Sequence, residues 1–211
     1  MGNTDTKKCI LDVAEKLFAR QGFHATSMRM LTSEAKVNLA AINYHFGSKE
    51  ELIKSVMERR ILPLNKIRIE RLQRIKDIAS AEGHVPDIRE VLLAFIEPTF
   101  AFKESGIGAQ DFISLIGRAF SDPKPTVRKL FMEMVGPVFQ LLFELLCDSL
   151  PSMPKNIVLL RLHFMLGAMA HPMNMSQMCQ LIPNGTAIKM DSVSLTDEFV
   201  NFVTKGMEAP L

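Results

Sequence analysis

Thr26-Ser27-Met28-Arg29-Met30-Leu31-Thr32-Ser33-Glu34-Ala35-Lys36-Val37-Asn38-Leu39-Ala40-Ala41-Ile42-Asn43-Tyr44-His45-Phe46 decides the fold. It reads as a helix, a three-residue turn and a second short helix. Ser27 suits an N-cap, because its hydroxyl accepts from a backbone N–H that the first turn leaves without a partner. Met28, Leu31 and Ala35 recur at helical spacing and give the first helix one apolar face. After Lys36-Val37 the chain restarts with Asn38 as the next cap. In the second helix Ile42 and Phe46 point inward at i, i+4. Stepping about 100° per residue from Ile42 puts Ala40 and Tyr44 on the far side, with Ala41 and Asn43 on the flanks. A short helix with a low-profile outward face, braced by a preceding helix, is the geometry that enters a DNA major groove.

Val37, Ile42, Tyr44-His45-Phe46 and Ser48-Lys49-Glu50-Glu51-Leu52, behind the Thr26-Ser27 cap, resemble the DNA-binding domain of TetR-family regulators over residues 5–60. By position, the resemblance makes Ser27, Tyr44, His45 and Lys49 phosphate contacts. It sets Leu39, Ala40 and Asn43 against base edges, with Arg29 reaching phosphate or the groove edge. Three positions depart from the family pattern. Lys36 stands where the family has a turn glycine, and a side chain at positive φ costs about 1–2 kcal/mol, so either the turn differs or stability is given up. Asn43 replaces a common tyrosine, and Leu39 a commonly polar residue. Base preference therefore does not transfer from relatives.

Charge is unevenly distributed. Residues 1–80 carry 15 Lys/Arg against 9 Asp/Glu, and residues 81–211 carry 10 against 14, so a basic half precedes an acidic one. The basic half holds the helix-turn-helix, as phosphate binding requires. A chain of 211 residues, 47% hydrophobic and 23% charged, suits a globular protein with a sizeable core. Trp is absent and Tyr44 is the single tyrosine, which leaves Phe and Met as the large core fillers. An opening with Asp5, Lys7 and Lys8, and no long apolar run, predicts neither secretion nor a membrane span, so the expected location is cytoplasmic. Three unclustered cysteines (Cys9, Cys147 and Cys179) make no disulfide framework.

No stretch alternates with period two, so the expected fold class is all-α, with about nine helices. The predicted division is a helix-turn-helix domain over residues 3–63 and a helical effector-binding and dimerisation domain over residues 64–211. Ile10, Ala14, Leu17 and Phe18 form the stripe of the first helix. Ser48 caps a long connector that Pro63 is expected to kink or interrupt. Beyond it, Leu64, Ile67, Leu72, Ile75 and Ile78 carry the apolar pattern. Pro98 is expected to interrupt and kink a later helix over 87–103, and Pro137 stands near the middle of a long apolar helix over 126–150. In the last two helices, Gly167, Ala168 and Ala170 allow close approach, and Phe199, Val200, Phe202 and Val203 are expected on one side. The resemblance implies that these two helices form a four-helix homodimer interface, which a palindromic operator in double-stranded DNA also needs.

Phe95, Phe102, Phe112, Phe139, Phe143 and Phe164 are candidates for an apolar effector pocket between kinked helices. His171-Pro-Met173-Asn-Met175-Ser-Gln-Met178-Cys179, with His163 upstream, offers soft donors for Cu(I). Met is equally a filler of flexible apolar surface, and no paired Cys or close His pair anchors a site, so no metal or cofactor is assigned. No Gly-rich phosphate loop, nucleophile elbow or helix-borne metal motif is present, so an enzyme is not expected. The reading is a ligand-responsive repressor, released from its operator by a small, largely apolar effector through a population shift. A helical ligand-binding module without operator recognition is the alternative, supported by Lys36 and Leu39 alone.

Overall fold

A computed structural model describes residues 3–173 and 191–211. Among the described residues there are nine helices and no strand. They are α1 (Asn3–Gln21), α2 (Met28–Ala35), α3 (Leu39–Phe46), α4 (Lys49–Glu82), α5 (Ile88–Lys103), α6 (Ile107–Ser121), α7 (Thr126–Ser149), α8 (Lys155–Met173) and α9 (Ser192–Glu208). The all-α expectation and its helix order hold.

The chain groups into two compact units. The first comprises residues 1–63 and 105–135, and the second residues 64–104 and 136–211. Residues 105–135, assigned from the sequence to the C-terminal domain, thus group with the N-terminal helices. In the first unit α1 packs on α6 and α2, and α2 on α3. Ile10, Ala14 and Phe18 are buried from α1, as the stripe predicts, and they are joined by Leu31, Ile42, Leu52, Ile53 and Met57. Gly22, at φ 85°, ends α1 with its N–H on the Phe18 carbonyl at 2.9 Å. Glu15 is also buried there, at 3% exposure, and Arg59 and Arg60 of α4 both donate to its carboxylate. A buried carboxylate persists only when its lone pairs are satisfied in this way.

In the second unit α9 packs on α5 and α8. Phe95 meets Phe139 at 5.6 Å between ring centroids, and Phe100 meets Phe199 at 5.4 Å. Arg161 of α8 donates to the carbonyls of Met207 and Ala209, at 2.8 and 2.7 Å, and so satisfies acceptors at the end of α9.

Two sequence expectations need correction. First, α4 is helical without interruption through Pro63, and α5 likewise through Pro98, while α7 runs through Pro137 as one helix, as expected. One missing N–H per proline is outweighed by the bonds on either side. Second, the buried face of distal α4 is not Leu64-Ile67-Leu72-Ile75-Ile78. It is Asn65, Arg68, Leu72 and Ala79, while Ile67 and Ile78 are exposed. On α9, Phe199, Val200 and Val203 are buried and Phe202 is 69% exposed. Among the described residues, α7 alone has the length and mean hydropathy, 1.6, of a membrane-crossing helix. Val135, Val138, Leu142, Leu145 and Leu146 of that helix are buried inside the protein.

Candidate nucleic-acid interface

The helix-turn-helix is built from caps. The Ser27 hydroxyl accepts from the Met30 N–H at 3.2 Å and starts α2. Behind it Thr26, fully buried, donates its hydroxyl to the Gly22 carbonyl at 2.9 Å and fixes the entry to the motif. Lys36 ends α2 in the left-handed conformation, φ 53° and ψ 42°, with its N–H directed at the Ser33 and Thr32 carbonyls. It is the one non-glycine residue at positive φ among the described residues. The turn therefore keeps the geometry a glycine would adopt, and the lysine bears the steric cost. Asn38 Oδ1 then accepts from the Ala41 N–H at 2.8 Å to start α3. Gly47, at φ 76°, closes it, and Ser48 caps α4 by accepting from the Glu51 N–H at 3.1 Å.

On α3, Ile42 and Phe46 are buried. Leu39 is 50% and Tyr44 77% exposed, and Ala40 and Asn43 lie on the same open surface. Ser27 and Arg29 are exposed on α2, while His45 and Lys49 are half-buried. The Tyr44 and His45 rings meet edge to face at 5.2 Å, which holds the phenol away from the core. The Lys49 ammonium lies 4.5 Å from the Phe23 ring centroid. Partial burial there pulls its pKa below the ordinary lysine value, and Glu50 pulls it back up. All eight sequence-predicted DNA residues thus belong to one motif, and none is in the core. Sequence reasoning treated Lys36 as a departure only. Its exposed side chain adds a cation beside the α3 cap.

The six effector candidates are divided between the two units. Phe112 is buried in α6 of the first unit, and the other five belong to the second. Phe95 and Phe139 are in contact, and Phe102 and Phe143 are half-buried. Phe164 is 65% exposed and instead lines a groove of 310 Å³ with Phe202. No group of three His, Cys, Asp or Glu among the described residues is placed to hold a metal. The side chains of His171 to Cys179 lie outside the described residues. Burial raises the Cys147 thiol pKa, the opposite of what a reactive thiolate needs.

Capped helices, a tight turn and an outward face on the second helix define a helix-turn-helix protein. Residues 10–56 match the family described as "Bacterial regulatory proteins, tetR family", and residues 93–206, more than half of the chain, match "Tetracyclin repressor-like, C-terminal domain". The chain belongs to the TetR family, whose members are transcriptional regulators and not enzymes. An HTH-type transcriptional repressor of Mycobacterium tuberculosis is 37% identical over 57 residues, 27% of this chain and 30% of that protein. The chain thus spans under a third of the length of such curated relatives. A TetR-like transcriptional regulator from Rhodococcus superposes over all of both chains, with TM-score 0.67 and 19% identity. A transcriptional regulator from Saccharomonospora viridis, solved in complex with choline, covers 98% of this chain and 97% of its own, with TM-score 0.59 and 18% identity.

Proposed function

We propose that this protein is a homodimeric, sequence-specific repressor that leaves its operator when a small effector binds. The observation that carries the reading is the open face of α3. Leu39, Ala40, Asn43 and Tyr44 stand clear of a core that holds Ile42 and Phe46. Asn43 is suited to bond adenine and Leu39 to meet a thymine methyl, while Ser27, Arg29, Tyr44, His45 and Lys49 serve the phosphates. In this reading residues 3–63 are the DNA-binding domain and residues 64–211 carry effector binding and dimerisation. Its place of action is the bacterial cytoplasm, where the DNA is.

The dimer reading is supported by the α8–α9 surface. Phe164 and Phe202 are exposed around a groove that Ala168 and Gly206 also line. Large apolar residues beside small ones suit close packing against a second copy. Phe95 and Phe139 remain the best-supported apolar wall for an effector. The choline complex of the Saccharomonospora protein is a precedent for a small ligand in this fold. Occupancy then shifts the population toward a form with lower operator affinity.

Selection of bound sequences from random duplex DNA tests the proposal, with wild type and Tyr44→Ala run side by side. An enriched palindrome, lost in the variant, is the expected result. No enrichment at low salt would overturn operator binding by the unliganded protein.

A further inference from the structure

Arg68 is a charged side chain inside the second unit. The residue is 6% exposed, and its guanidinium carbon lies 4.3 Å from the Phe95 ring centroid. Nε donates to the Phe95 carbonyl at 3.3 Å, Nη1 to Asn65 Oδ1 at 3.3 Å, and Nη2 to the Thr99 hydroxyl. All of these acceptors are neutral. No Asp or Glu pairs with Arg68 among the described residues, and residues 1–2 and 174–190 contain none. The nearby Glu97 is engaged at the surface by Arg71.

Burying a guanidinium without a countercharge is unfavourable, and neutral acceptors offset only part of the loss. Burial lowers its pKa to about 10, which still leaves it charged at neutral pH. The fold itself does not require this cation. The Phe95 carbonyl already accepts the Thr99 hydroxyl at 3.0 Å, and an apolar residue would fill the space between α4 and α5 at lower cost. Three bonds occupy three of the five N–H donors, so each Nη keeps one N–H with no acceptor among the described residues. Two N–H groups on the paired nitrogens of one fork match the two oxygens of a carboxylate. The ring of Phe95, backed by Phe139, supplies an apolar wall beside that fork.

We infer that Arg68 is the anion-recognition residue of the effector site, and that the effector is an amphiphilic carboxylate: an acid group on an apolar body. The inference rests on the proposed effector-release function, and it narrows the ligand from apolar to acidic. Arg68 neutralises and orients the carboxylate, Asn65 and Thr99 hold the guanidinium plane, and the Phe95–Phe139 pair takes the apolar part.

Ligand-induced thermal shifts and calorimetric titration of the full chain test this without DNA. The probes are octanoate, benzoate and phenylacetate, each against its alcohol. At least one acid is expected to raise the Tm of the wild type while its alcohol does not. Arg68→Met is expected to bind that acid at least about tenfold more weakly, the loss of a bidentate charged pair. Without ligand the variant should melt no lower than the wild type, because the uncompensated charge is gone. No response to any of the acids, equal responses to acid and alcohol, or undiminished binding by Arg68→Met would each overturn the inference. Should Arg68→Met fail to fold, Arg68→Lys serves, since it keeps the charge and loses the fork, and acid binding should weaken. The two proposals fail separately. Release of a selected operator by neutral compounds alone would overturn the acid and keep the repressor. An acid response without any enriched DNA would do the reverse.

Discussion

A β-carbon on Gly108 would stand 1.9 Å from Nη2 of Arg60, so this guanidinium occupies the space the glycine leaves open on α6. Glu15 of α1 holds it there, with bonds of 2.8 and 2.9 Å to Nε and Nη2. The hydrogen bond to Glu15 is also the main reason the Arg60 pKa lies above its ordinary value, and burial opposes it. Gly108→Ala is expected to push Arg60 off the carboxylate and cost about 1–2 kcal/mol, the scale of a charged hydrogen bond. Urea unfolding of Gly108→Ala, Arg60→Ala and the double variant checks this. The double variant should resemble Arg60→Ala, and additive losses would rule out the steric link.

Lys36 pays for its left-handed backbone. Lys36→Gly should relieve that strain and stabilise the protein by about 1 kcal/mol, net of the greater freedom of glycine in the unfolded chain. Thermal melts of the two proteins decide the matter, and an unchanged or lower Tm would contradict the expectation.

Phe202 projects from α9 into the groove it shares with Phe164. Phe202→Asp places a charge on the proposed seam while leaving the buried residues Phe199, Val200 and Val203 in place. Sedimentation velocity should show a dimer for the wild type and a monomer for the variant, with helical content retained. Equal sedimentation would remove this face from the interface.

His84 has a raised pKa, first through its bond to the Val85 carbonyl at 2.9 Å and further through Glu82, with desolvation opposing. The protonated ring is therefore favoured in the folded chain. Its contribution is fully present below the imidazole value of the unfolded chain and fades as pH rises through the raised folded value. The Tm advantage of wild type over His84→Gln should accordingly shrink across that window. An NMR titration of the imidazole locates it, and an advantage that grows with pH would mean that folding favours the neutral ring instead.

Lys49 carries the clearest electrostatic prediction. Lys49→Gln should weaken specific and non-specific duplexes alike and reduce the slope of log K against log salt by about 0.9, one phosphate's worth. Titrations over a range of salt concentrations measure it, and an unchanged slope would take Lys49 off the phosphates.

The motif was legible because caps and periodicity are local. Ser27, Asn38 and Ser48 each accept the bond expected from neighbours three residues away. The position of the turn was legible too, while the choice between a different turn and a strained one at Lys36 was decided by its left-handed backbone. What failed was the orientation of long helices. The apolar pattern of distal α4 included Ile67, yet Ile67 is exposed and Arg68 is buried, paired with Phe95 and Thr99 some thirty positions away. Phe164, named for an effector pocket, is instead exposed and lines a groove with Phe202. Prolines misled as well, since a single lost bond does not end a helix held by its neighbours.

Tyr44 is the single tyrosine in a chain without tryptophan, and it stands on the exposed face of α3. Phenylalanine absorbs at shorter wavelengths, so the long-wavelength edge of the absorption, and the emission excited there, come from one ring on α3. The protein carries its own optical reporter: emission excited at that edge reports on the exposed face of α3. Contact with nucleic acid can be followed in the unmodified chain with no label attached.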